Sequence, residues 1–201
     1  MSVGAPSRPL DEFEELVYEY TLRMGFEDET AEGDSVRSPL NLSFLKLSRF
    51  LKDSIYHTNK YIQRWGINTK SCNLRFESAS KGPPTPQVSY LLTVPPNLCN
   101  YMGNLHGGCA ATLVDVLSTA ILLGMSRPGV FALGGVSRHL KTTYLRPVPQ
   151  GTEIRLTCSL VHIGRRLAYL RAEISRVDNG DVCVLGDHEK ANTDPEVNEK
   201  L

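Results

Sequence analysis

Between residues 74 and 190 the apolar pattern is helical in one stretch and strand-like everywhere else, and that arrangement limits the folds available more than any other feature. Leu74 to Ser80 and Val88 to Val94 read as two strands of a hairpin joined by the proline-rich turn KGPPTP. Asn97 to Gly103 reads as a loop leading into the run Gly108 to Gly124, which is helical and almost continuously apolar. Four more strand-like runs follow, at Gly134 to Leu145, Glu153 to Ile163, Leu167 to Arg176 and Val182 to Lys190, the last after the turn DNGD. Two strands, one long apolar helix and four strands make an α+β chain. An antiparallel sheet of about five to six strands then has a single helix to bury, and wrapping the sheet around that helix is the economical solution.

A chain of 201 residues, 41 % of them apolar, supplies one core and an addition to it. Residues 1–70 read as an N-terminal helical extension, 71–191 as the main domain and 192–201 as a tail. Within the extension, Leu10, Phe13, Leu16, Val17, Tyr20 and Met24 recur at helical spacing after Pro9, predicting a helix over 9–24. Residues 25–39 are acidic and polar and suit a linker, and Phe44, Leu47, Leu51 and Ile55 form one stripe of a second helix over 42–57. Lys plus Arg equals Asp plus Glu at 22 each, so no basic excess exists to hold a nucleic-acid backbone. Five scattered cysteines without C-x-x-C spacing argue against a disulfide framework or a structural zinc site. The acidic N-terminus resembles neither a secretory signal nor a transit peptide, and the apolar runs look too short or too interrupted to span a bilayer, so a cytoplasmic protein is expected.

The segment from Asn100 through His106, Gly107 and Gly108 to Asp115 carries the chemistry. Glycines at the mouth of a helix let a ligand approach the main chain, where unpaired N–H groups of the first turn point outward. A carbonyl oxygen held by the Gly107 N–H would be stabilised more strongly as it became negative. Asp115 lies in an otherwise apolar helix, and a carboxylate there either finds hydrogen bonds, takes up a proton, or faces solvent on the outer side. Gly107 and Asp115 are eight residues apart, so on one straight helix about 12 Å separates them, too far to act on one carbon. If both act, they come from different subunits, which predicts a two-fold dimer with its sites at the interface.

At NLHGGxxATLVDxxST, residues 104 to 119, and again at GVSRHLKTTYLRPVPQGTEI and GRRLAYLRAEI, the sequence resembles the PaaI-like hotdog-fold thioesterases, within them the thioesterase superfamily member 2 (acyl-CoA thioesterase 13) subgroup. The resemblance covers about residues 72 to 190. It implies a hotdog fold, hydrolysis of a fatty or aryl acyl-coenzyme A, no metal, and no cofactor beyond the coenzyme A of the substrate. It also implies a homodimer at least, with a homotetramer favoured. By the same resemblance the site comprises Asn100, His106, Gly107, Asp115 and Ser137. Asp115 would activate water or attack directly, Ser137 would help hold the water, Gly107 would receive the carbonyl oxygen, and His106 and Asn100 would position the loop and the sulfur.

Coenzyme A brings phosphates, so cations are expected at the pocket mouth. Gly108, Arg165, Arg166, His188 and Lys190 are the candidate substrate contacts, with Arg138 and Lys141 as substitutes because Asp187 stands where the subgroup tends to carry a basic residue. The acyl tail is expected against Leu117, Ile121 and Leu133, and any association of dimers against Leu156, Cys158 and Leu160. Two other readings stay open: a non-catalytic acyl-CoA-binding or assembly protein, and a hotdog hydratase or dehydratase. The order HGG followed by Asp on the helix favours hydrolysis.

Overall fold

The computed structural model describes residues 8–21, 67 and 69–195. In chain order the elements are α1 (Glu12–Thr21), the single turn α2 (Thr69–Cys72), β1 (Arg75–Ser80), β2 (Gln87–Thr93), a 3-10 turn at Pro96–Leu98, α3 (Gly107–Gly124), β3 (Val136–Tyr144), β4 (Glu153–Ile163), β5 (Leu167–Arg176) and β6 (Val182–Ala191). The six strands among the described residues lie in one antiparallel sheet, in the order β1-β2-β4-β5-β6-β3. The sheet curves around α3, which is the hotdog arrangement. The strands anticipated from the alternation fall within two residues of the observed ones, and β4 and β5 coincide with them.

Alternation decides what faces the helix. Ile154, Leu156, Cys158 and Leu160 of β4 and Ala168, Leu170, Ala172 and Ile174 of β5 are all buried, in one cluster with Leu113, Val114, Leu117 and Ile121 of α3. Each large apolar side chain so removed from water contributes about 1.5–3 kcal/mol. Two expectations are corrected by this packing. Leu156, Cys158 and Leu160 point inward, because the outer face of β4 is taken by Arg155, Thr157 and Ser159; they offer no surface for joining dimers. Leu117 and Ile121 are sealed in the core of the single chain instead of lining an open channel, whereas Leu133 is half-buried. Helix α3 is also long and apolar enough, by length and composition, to cross a membrane, contrary to the expectation; its apolar residues serve the core.

One stripe of α3 escapes burial. Gly108, Ala111, Thr112, Asp115, Val116 and Thr119 are spaced three and four apart and none is buried. The stripe is held at a fixed height above β6 because Gly186 lets the helix come close: a Cβ there would lie 2.7 Å from Val114 Cγ1.

The N-terminal helix is anchored to this core. Asp11 caps α1 by accepting from the Phe13 and Glu14 N–H groups at 3.0 and 2.8 Å, while Glu14 accepts from the Asp11 N–H at 3.2 Å. Glu14 also accepts from Arg8 at 2.6 Å and from the Ala79 N–H of β1 at 3.3 Å. The Arg8 hydrogen bond, together with these N–H donors, holds the Glu14 carboxyl below its ordinary pKa despite burial. Phe13 and Val17 pack on Gly124 at the end of α3, and Thr21 shares a hydrogen bond of 2.8 Å with Tyr90. The helix anticipated over 9–24 thus begins at Glu12. The linker over 25–39, the helix over 42–57 and residues 196–201 of the tail lie outside the described residues.

Gly186→Ala tests the close approach of helix and strand. Denaturant unfolding should show a loss of about 1–3 kcal/mol, and the double variant Gly186→Ala/Val114→Ala should lose less than the sum of the single changes, because the cavity left at Val114 accepts the new methyl group.

Candidate active site

The open stripe of α3 passes over the edge of the sheet formed by β6 and β3, and four polar side chains meet there. Ser137 Oγ on β3 donates to Asp115 Oδ1 at 2.7 Å. His188 on β6 is fully buried, with Nε2 2.9 Å from Ser137 Oγ and 3.2 Å from Asp115 Oδ1. On the other side of the ring, Nδ1 lies 2.8 Å from the hydroxyl of Ser118, also fully buried, one turn along α3 from Asp115.

These distances select one tautomer. Ser137 has one proton, and it goes to the carboxylate, which can only accept. His188 Nε2 must therefore carry a hydrogen and donate to Ser137 Oγ, which leaves Nδ1 to accept from Ser118. The opposite tautomer would set a bare nitrogen against the carboxylate oxygen. Ser118, His188, Ser137 and Asp115 thus form a directional chain of donors that ends on the carboxylate. Burial, reinforced by the charge of Lys190 and opposed by Asp115, pushes the His188 pKa down to about 4, so the ring is neutral at physiological pH. The Asp115 side chain remains 40 % exposed, and Oδ2 takes no hydrogen bond among the described residues. A carboxylate with one oxygen fixed and the other open can orient a water molecule and take its proton.

The other half of the motif lies at the start of α3, about 12 Å along the helix from Asp115. His106 is the N-cap, extended at φ −65° and ψ 131°, and its Nδ1 accepts from the Gly108 N–H at 3.0 Å. Gly108 therefore gives its N–H to the cap and not to a ligand, a correction to its place among the substrate contacts. The Gly107 N–H has no acceptor among the described residues. The Tyr144 phenol donates to the Gly107 carbonyl at 2.7 Å, accepts from Thr142 at 2.9 Å, and packs its ring where a Gly107 Cβ would lie only 3.2 Å away. Asn100 shapes the preceding loop: its Oδ1 accepts from the Met102 and Asn104 N–H groups at 3.0 and 3.2 Å.

The structure therefore joins Asp115 with Ser137, and separately joins His106 with Gly107 and Gly108. Two of the expected phosphate contacts are corrected. His188 is a buried neutral ring within the Asp115 chain, and Lys190 is 5 % exposed, with its ammonium donating to Thr119 Oγ1 at 3.0 Å. Both face inward because alternation along β6 turns residues 184, 186, 188 and 190 toward α3. Arg165 and Arg166 are exposed on the β4–β5 turn, whose carbonyls are held by Asn192. Asp187 faces outward, accepting from Tyr169 at 2.6 Å and lying 3.6 Å from Arg171. Sequence reasoning missed Ser118, Thr119 and Tyr144 as parts of the site. The signal was present for the first two, as hydroxyls three and four residues after Asp115 in an apolar helix.

Residues 102–183 match the model of the thioesterase superfamily. Acyl-coenzyme A thioesterase 13 of Mus musculus is 35 % identical over 91 residues, which is 45 % of this chain and 62 % of that protein; the Homo sapiens protein gives the same figures. The chain thus spans about three fifths of the length of these curated relatives. Among solved structures, zebra fish thioesterase superfamily member 2 is 28 % identical with a TM-score of 0.53, covering 76 % of this chain and 98 % of that one. The E. coli PaaI protein shares the fold at 17 % identity, with a TM-score of 0.55 over 74 % of this chain and 99 % of that one.

The neutral imidazole makes stability depend on pH. An unfolded histidine takes a proton near its ordinary pKa of 6.5, and this one only near 4, so the unfolded state binds more protons in between. Stability should fall as pH drops from about 6.5 to about 4, by up to about 3 kcal/mol from this group. Denaturant unfolding of His188→Asn across that window should lack this component of the slope.

Proposed function

We propose that this chain, whose residues 102–183 match the thioesterase superfamily model, hydrolyses acyl-coenzyme A thioesters at sites shared between two copies of itself. The observation that carries this reading is the carboxylate of Asp115, fixed by Ser137 and backed by His188, with its second oxygen open to solvent. The named relatives, acyl-coenzyme A thioesterase 13 among them, supply the substrate class. Asp115 takes a proton from water as the water oxygen bonds to the thioester carbon. The carbonyl oxygen becomes negative against the partner's Gly107 N–H. The carbon–sulfur bond then breaks, and the coenzyme A thiolate leaves with the proton returned from Asp115. The acid and coenzyme A are the products.

Sharing follows from the helix, since its start and its middle are about 12 Å apart. The surface supports it. Strand β3 is an edge strand exposed along almost its whole length, where the other long strands alternate, and it leaves Val136 and Tyr144 half exposed. An uncovered edge of that kind is a template for pairing with another strand. A second copy paired along β3 would bring the start of one α3 toward the middle of the other.

Release of free thiol from short, long and aromatic acyl-CoAs tests the activity. Asp115→Asn should lower kcat by about a hundredfold or more. Gly107→Pro removes the N–H at a position where proline suits a helix start and the preceding His106 is already extended; measured against Gly107→Ala, which adds the same Cβ 3.2 Å from Tyr144 but keeps the N–H, it should cost about a hundredfold. Mixed dimers of Asp115→Asn and Gly107→Pro contain one intact site each. Co-refolding equal amounts should restore roughly a quarter of wild-type activity. No recovery would place the whole site within one chain, and no thiol release by the folded wild type would leave a binding role.

A further inference from the structure

Strand β3 meets α3 at two points, and a strictly alternating strand could not reach both with the hydroxyls it uses. Ser137 and Tyr144 are seven residues apart, an odd separation that places two side chains on opposite faces of a regular strand. The structure sets both toward α3. Tyr144 pairs with Val184, Thr142 with Gly186, Leu140 with His188 and Ser137 with Lys190, all opposite inward positions of β6. The change of parity falls at Arg138, an extra residue between Ser137 and His139, which pair with the consecutive residues Lys190 and Glu189. A bulge of this kind re-aims a side chain and leaves one residue out of the ladder. Here it lets one strand hold the Asp115 carboxylate with Ser137 and the Gly107 carbonyl with Tyr144, each at 2.7 Å.

The start of α3 needs such a hold. Gly107 and Gly108 open the helix, and glycine loses more conformational freedom on ordering than any other residue, so this turn is the one most prone to fray. A donor stabilises a developing charge only when its direction is set beforehand. The Gly107 carbonyl and the Gly108 N–H belong to one planar peptide unit. Tyr144 grips that unit by its oxygen, and His106 Nδ1 grips it by its N–H at 3.0 Å. Thr142 Oγ1 donates to the phenol at 2.9 Å, which leaves the phenol proton for Gly107. The ring lies against the same residue, with its Cζ 3.2 Å from where a Cβ on Gly107 would stand. We propose that Tyr144 is a positioning residue for the Gly107 N–H, turned toward the helix start by the bulge at Arg138 and acting through the glycine, not on the reacting atoms. Its consequence in catalysis rests on the thioesterase reading, whereas the pinning of the helix start does not.

Tyr144→Phe keeps the ring and removes only the hydroxyl. Amide hydrogen exchange followed by NMR, without substrate, should show the Gly108 N–H exchanging about fivefold or more faster in this variant, with that of Leu117 in the middle of the same helix unchanged. For acyl-CoA hydrolysis kcat should fall about five- to tenfold while KM stays at its wild-type value. In a Gly107→Pro background, where the N–H is already gone, adding Tyr144→Phe should cost nothing further. A Gly108 amide as protected in Tyr144→Phe as in wild type, or an equal loss of kcat on both backgrounds, would overturn the positioning role. Equal acceleration at Gly108 and Leu117 would also overturn it, since Tyr144 would then stabilise the fold as a whole. Because the exchange measurement needs no turnover, absence of thiol release from wild type would overturn the thioesterase reading alone.

Discussion

Helix α3 is apolar on three of its sides and polar along one narrow stripe, and everything else in the molecule is arranged around that asymmetry. Leu113, Val114, Leu117 and Ile121 require a cover, and the inward residues of β4, β5 and β6 provide it. The stripe that remains carries Asp115 and Thr119 and ends at Gly108. Because the helix is gripped from below, that stripe has no freedom to rotate, and Asp115 arrives against β3 and β6 with its orientation set. Gly186 fixes the depth of the grip through its contact with Val114.

The polar groups brought together at this edge are unusual in being buried on the protein side and open on the other. Ser118 and His188 are inaccessible to water, so each must find its partner within the chain, and the partners available permit one order of donors. Such a chain has little alternative geometry. It delivers a carboxylate whose one oxygen is saturated and whose other oxygen is free for chemistry. At the start of the helix the same economy operates: His106 consumes the Gly108 N–H, Tyr144 consumes the Gly107 carbonyl, and the Gly107 N–H is left without an acceptor among the described residues. The start and the middle of α3 are therefore both preorganised.

Much of this was legible beforehand. Alternation in residues 153–163 and 167–176 marked β4 and β5 to the residue, since a half-buried strand must alternate. The pairing of Asp115 with Ser137 followed from the family resemblance, and the separation of Gly107 from Asp115 followed from helix geometry alone. The errors share one cause. His188 and Lys190 were read as surface cations because charged residues at a strand end usually are, and Leu156, Cys158 and Leu160 were assigned to an outer face. A period of two says which residues share a face without saying which face is buried.

By itself, then, the sequence determined the elements, their order, the single core helix and the presence of a carboxylate among apolar neighbours, because those depend on local period and on residue type. The tertiary structure alone decided that His188 is a neutral donor, that Lys190 is buried beside Thr119 and that β3 is the exposed edge strand of this chain's sheet. Each of these depends on which groups meet across 50 or more residues, or on whether water reaches them. Desolvation and long-range hydrogen bonding are properties of the assembled fold, and no residue carries them in its own name.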